Sequence, residues 1–159
     1  MQKLNILNTR EVHALKKKLI EQFDLALEEE YVYLKNNQDK VFLINRDLEC
    51  LPLRNLIVDR YGLYFAEIMK NGEIRLSKEG TQLLALVAQK KGLTIKNSLK
   101  LSTEETKSYF QGQDLDKDLG PESKMVVLYY ETDALGCAKY KEKKILNFLP
   151  KVHRGDVII

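Results

Sequence analysis

The run Met125-Val126-Val127-Leu128-Tyr129-Tyr130 constrains this chain most. It is continuous rather than alternating, so it reads as a strand buried in a core. Glu131-Thr132-Asp133 supplies turn chemistry after it. Leu135-Gly136-Cys137-Ala138 is a stretch of small residues where another backbone or a ligand can come close. Lys139, Lys141, Lys143, Lys144, Lys151 and Arg154 then crowd into 16 residues, opposed only by Glu142. The rest of the chain reads as scaffold for this basic strand-and-loop segment.

The bulk charge says less than its distribution. The total is +3 over 159 residues, too small to suggest a nucleic-acid partner. Residues 134–155, however, hold six bases against one acid, while the acids of that half gather between Glu104 and Glu122. Such polarity is a local footprint. Hydrophobic residues at 44% exclude a disordered chain. The start has no apolar leader core, and no apolar run approaches the ~18 residues of a membrane helix. A cytoplasmic protein with no membrane partner is expected. Cys50 and Cys137 lie far apart and match no metal or redox spacing, so two buried free thiols are expected.

Along the chain, Asn8 with Glu11 has capping-box spacing, and Val12, Leu15, Leu19 and Phe23 follow at helical intervals. Lys16, Lys17 and Lys18 read as the solvated face of that helix. Tyr31–Lys35 and Val41–Ile44 flank Asn36-Asn37-Gln38-Asp39 as a hairpin. Asn45 is placed to cap a short helix with Leu48 and Leu51, which Pro52 ends. Residues 62–70 and 73–76 flank Asn71-Gly72, the strongest hairpin signal, for which a type I′ turn is expected. Ser77 caps a helix through Ala88, which Lys90-Lys91-Gly92 ends. Residues 1–91 thus read as one α+β unit.

After Gly92 the texture changes. Short strands are expected at Leu93–Lys96, Met125–Tyr130, around Cys137–Tyr140, around Ile145–Phe148 and at Asp156–Ile159. Ser102 and Glu105 form a second capping box for a helix to about Phe110. One helix among close-spaced strands, with no room for a parallel crossover, suggests a small mixed β-barrel over residues 92–159.

The segment from Val126 through Leu135-Gly136 to the basic strand resembles a PUA domain, the RNA-binding barrel of pseudouridine synthases and archaeosine transglycosylases. YVYLKNNQDKVFLINRDL and GLYFAEIMKNGEIRLSKEGTQLL resemble the pre-PUA domain of the Nip-seven ribosome-biogenesis family of archaea and eukaryotes. The order, spacing and total length also agree, although KYKEKK is more charged than that family's usual segment. The ending NFLPKVHR resembles a further PUA-like group, the domain appended to rRNA cytosine methyltransferases. The resemblance to the Nip-seven family implies a non-catalytic factor of large-subunit assembly. Its PUA domain would bind pre-rRNA or rRNA, with a preference for uridine-rich strands. Its pre-PUA domain would contact an assembly or RNA-processing protein.

The RNA-binding residues expected are Lys139, Lys141, Lys143, Lys144, Lys151 and Arg154. Alternation places Lys139, Lys141 and Lys143 on one strand face, where three ammonium groups repel unless a phosphate strand lies across them. The competing reading is a solvated edge strand whose lysines block aggregation. Arg154 is suited to stack on a base or fork to a phosphate. His153 is read as surface filler. Gly136 either admits RNA backbone or marks a bulge, and Tyr31, Tyr33, Tyr61 and Tyr64 read as hairpin packing. Catalysis has little basis: His13 and His153 stand at opposite ends, and no phosphate loop, HxE or CxxC is present. Asp114, Asp116 and Asp118 lack the glycine and glutamate of a calcium loop. No cofactor is expected. Alternative functions are a PUA-type targeting module acting with an rRNA methyltransferase in trans, and a protein-interaction adaptor.

Overall fold

A computed structural model describes residues 4–28, 30–47 and 62–159. The first half runs β1 (Leu4–Ile6), α1 (Thr9–Phe23), β2 (Tyr31–Asn36), β3 (Lys40–Asn45), β4 (Leu63–Ile68), β5 (Ile74–Leu76) and α2 (Lys78–Lys91). The second runs β6 (Ser98–Lys100), α3 (Thr103–Phe110), β7 (Leu115–Asp116), β8 (Lys124–Tyr130), β9 (Asp133–Lys141) and β10 (Lys144–Leu146), then a 3-10 turn at Lys151–His153. The architecture is α+β, as expected. An antiparallel sheet in the order β1-β2-β3-β4-β5 packs against α1 and α2. A mixed sheet in the order β6-β8-β9-β10-β7 curls into a half-barrel.

Helix ends follow their capping chemistry. Asn8 with Glu11 and Ser102 with Glu105 both form reciprocal capping boxes. Ser77 Oγ accepts the Gly80 N–H at 2.8 Å. Gly92, at φ 64°, closes α2, and the Leu93 N–H returns to the Ala88 carbonyl at 2.9 Å, a Schellman ending. Gly80 is needed for packing: a Cβ there would lie 1.9 Å from the Phe65 carbonyl oxygen, so only glycine lets α2 start against β4.

Several expectations are corrected. At Asn71-Gly72 only Gly72 has positive φ (79°), and its N–H donates to the Met69 carbonyl at 2.8 Å. The turn is therefore type I followed by a glycine bulge, with the Asn71 side chain accepting the Glu73 N–H at 3.1 Å. Type I′ geometry appears instead at Glu142-Lys143, at φ 52° and 61°. Leu93–Lys96 is no strand, because the segment caps α1. The Lys96 N–H donates to the Phe23 carbonyl at 3.0 Å and Asn97 Nδ2 to the Gln22 carbonyl at 2.9 Å, meeting carbonyls that a helix end leaves open. Asp156–Ile159 is an exposed or half-exposed tail without a strand. A parallel crossover does exist, from β6 through α3 and β7 to β8. Asn45 Oδ1 accepts the Asp47 N–H at 3.2 Å. Leu48, Leu51 and Pro52 of the expected helix lie outside the described residues, as do Glu29, Cys50 and Tyr61.

The pleat of β8 explains its continuous apolar run. Val126 and Leu128 face the half-barrel core with Ala138, Tyr140, Tyr109 and Ile145. Met125 and Val127 face the other way, joining Cys137 and Ile95 to the first-half core of Leu19, Phe23, Leu84 and Phe65. A strand covered on both faces needs apolar residues at every position. Leu128 and Val127 are both fully buried. β8 and β9 therefore line two cores, and through one of their faces the half-barrel joins the core of the first half.

Candidate nucleic-acid interface

Strand register distributes the six basic residues into three places. Lys139 follows Cys137 on the face of β9 that meets the first half. Its ammonium donates to Glu73 at 2.6 Å, and the side chain is only 17% exposed. Burial raises the Glu73 pKa, but hydrogen bonds from Lys139 and Asn71, with the charges of Lys139 and Lys18, hold it below the usual carboxylate value. Lys139 thus ties β9 to the β4–β5 turn.

Lys141, Lys143 and Lys144 form the tip of the β9–β10 hairpin. The expected single strand face does not exist, because β9 ends at Lys141 and Lys143 sits in the type I′ turn. Lys141 and Lys144 are direct cross-strand partners, and all three side chains are more than half exposed. Acids reach them all the same. Lys143 lies 3.0 Å from Asp118, Lys144 3.8 Å from Asp116, and Lys141 3.4 Å from Glu142. The hydrogen bond and charge of Asp118 raise the Lys143 pKa, and Lys143 lowers that of Asp118. Pairing of β7 with β10 folds the acidic front segment back on the basic one. Exposed pairs of this kind contribute little to stability, so a phosphate strand can compete for the lysines.

Lys151 and Arg154 occupy the 3-10 turn after Pro150 and its exit, both exposed. Arg154 Nε donates to the Leu149 carbonyl at 2.9 Å, and the side chain lies against Gly112, where a Cβ would meet it at 2.6 Å. His153 lines a cleft of about 240 Å³ between this turn and the start of α2.

Other singled-out residues take structural places. Gly136 stands opposite a register shift at Leu128/Tyr129, and a Cβ there would lie 2.6 Å from the Tyr109 hydroxyl. Tyr33 is buried, and Tyr64 packs on Phe42 with ring centroids 5.5 Å apart. Lys18 pairs with Glu21 at 2.8 Å, while Lys17 is exposed. Asp114 accepts the Asn147 N–H at 2.8 Å, and among the described residues no group of His, Cys, Asp or Glu could hold a metal. Cys137 is a buried free thiol whose pKa desolvation pushes up to about 12. No described helix is long and apolar enough to cross a membrane.

Sequence reasoning missed Arg75, Lys78 and Tyr109, which line the cleft with His153. They come from β5, α2 and α3, and no local motif marks them; only the Ser77 cap points toward α2's start. A larger cavity, about 730 Å³, lies elsewhere, between α2 and the β8–β9 turn. Glu131 and Asp133 line it as well as Lys78 and Lys100, so it presents no single sign of charge to a phosphate.

A search of curated proteins returns no match to the chain. Residues 96–154 match the family model described as the methyltransferase RsmF PUA domain. That segment contains the whole half-barrel from β6 to the Lys151–His153 turn, and it is a PUA-type domain, a class of module that implies RNA binding.

Proposed function

We propose that the chain is a non-catalytic RNA-binding protein of large ribosomal subunit assembly, acting in the cytoplasm. Residues 92–159 hold rRNA or pre-rRNA, and residues 1–91 meet an assembly or processing protein. The observation that carries this reading is the PUA-type match over the segment that presents the hairpin-tip lysines. Lys141, Lys143 and Lys144, with Lys151 and Arg154, supply the phosphate contacts, and Lys139 fixes the strand from which the hairpin projects. The first-half resemblance to the pre-PUA domain of the Nip-seven family supports the assembly role.

A second reading is favoured by the family matched. The methyltransferase RsmF PUA domain suggests a targeting module that works with an rRNA methyltransferase in trans.

One experiment tests the RNA claim. The variant Lys141→Glu/Lys143→Glu/Lys144→Glu is compared with the parent for binding to uridine-rich single-stranded RNA at two salt concentrations. Three lost phosphate contacts should weaken binding at least tenfold and flatten the salt slope by about 0.7 per contact. Unchanged affinity, or a parent that binds no RNA, overturns the reading. Recovery of an rRNA methyltransferase as a specific partner selects the second reading over the first.

A further inference from the structure

The cleft between the start of α2 and the segment Phe148–His153 is built from both halves of the molecule. Tyr64, Arg75, Ser77 and Lys78 come from the first, and Tyr109, Gly136, Cys137, Phe148 and His153 from the second. At about 240 Å³ it is smaller than the pockets that take drug-sized ligands, and its scale suits one nucleotide unit.

Three observations define what it would take. Tyr109 is 1% exposed, and its hydroxyl crosses Gly136, where both residues line the cleft. That hydroxyl makes no hydrogen bond among the described residues and opens on the cleft, where a ligand can meet it. Secondly, the rim carries cationic side chains. Arg75 lies over the Phe148 ring at 5.0 Å and is ion-paired to Glu67, and Lys78 and His153 stand beside it, with Glu79 as an opposing acid. Thirdly, the N-terminus of the 14-residue α2 opens here; Ser77 Oγ caps the Gly80 N–H, and Lys78 and Glu79 form the first turn. A helix N-terminus favours an anion.

Resting on the RNA-binding reading above, we infer that this cleft holds one nucleotide of the bound strand. The base places a polar edge on the Tyr109 hydroxyl, and its phosphate lies at Lys78, His153 and the α2 N-terminus. The N-terminal half is then part of the RNA site, contributing Lys78 and the positioning residue Arg75. Lys151 and Arg154, adjoining His153, carry the strand out of the cleft.

The test uses the full chain, a ten-nucleotide oligouridine and inorganic polyphosphate, a backbone charge without bases. Tyr109→Phe keeps the ring and its packing and removes only the hydroxyl. It should weaken oligouridine binding by roughly threefold to tenfold, leaving polyphosphate binding and the salt slope unchanged. Lys78→Glu should weaken both ligands and flatten the salt slope. Unfolding midpoints of both variants serve as the check on folding, and Gly136→Ala, which crowds the same hydroxyl, should reproduce the Tyr109→Phe pattern. If both Tyr109→Phe and Lys78→Glu bind oligouridine within twofold of the parent while the hairpin-tip triple variant loses it, the cleft is overturned and the proposed function stands. A parent that binds neither ligand overturns both.

Discussion

Lys139 and Lys143 stand four residues apart in one basic run, yet they do different work. Lys139 points into the contact between the two halves and is held by Glu73, both side chains mostly shielded from water. Lys143 sits in a two-residue turn, is 75% exposed, and pairs loosely with Asp118. The difference arises from where β9 stops. Inside the strand, alternation delivers Lys139 to the face already occupied by Cys137; past Lys141, the turn throws the side chain to solvent. Spacing in a basic run therefore does not sort shielded cations from solvent-facing ones until the strand end is known.

The most severe break of this comparison is Lys139→Glu, which sets two carboxylates against each other in a shielded site. A loss of about 3 kcal/mol in denaturant unfolding is expected, with the reversed pair Lys139→Glu/Glu73→Lys recovering part of it. Loss no greater than that of an exposed substitution would remove Lys139 from its structural role.

The pH dependence sharpens the same contrast. Glu73 has a folded-state pKa below the ordinary carboxylate value of 4.5, so its contribution is present above about 4.5 and is lost as pH falls through the lower folded value. The acid limb of the unfolding midpoint should flatten in Glu73→Gln. On the alkaline side, Cys137 is raised from 9.0 to about 12, so stability is full below 9.0 and falls as pH climbs toward 12. Consistently, in a Cys50→Ser background the Cys137 thiol should resist a thiol reagent at neutral pH until denaturant is added. Rapid labelling of the native protein would contradict its burial.

The smallest effect expected is that of Lys143→Ala. Its unfolding midpoint should be indistinguishable from the parent's, while its RNA affinity drops by one phosphate contact's worth. A clear fall in midpoint would make Lys143 structural too.

Much of the fold is legible in the residues. The N-caps Asn8, Ser77 and Ser102 locate the three described α-helix starts. The two first-half hairpins follow from alternation and turn chemistry. What escapes is set by partners distant in sequence. Leu93–Lys96 looks like a strand because its apolar content is strand-like, but its donors go to the end of α1. β1 and β7, of three and two residues, carry too little pattern to be seen without β2 and β10 beside them. The basic cluster is legible as composition, whereas its division into a tie, a hairpin tip and a terminal turn is not. Arg75, Lys78 and Tyr109 are invisible as site residues because nothing but the docking of the two halves brings them together.

The strand β8 serves two cores at once, with Val127 in one and Leu128 in the other. That has a consequence for transplanting the domain. A half-barrel excised from this chain would carry Met125, Val127 and Cys137 as an uncovered oily face, and a foreign neighbour would have to match that face residue by residue. Moving such a segment into another protein would require a neighbour that covers the same face.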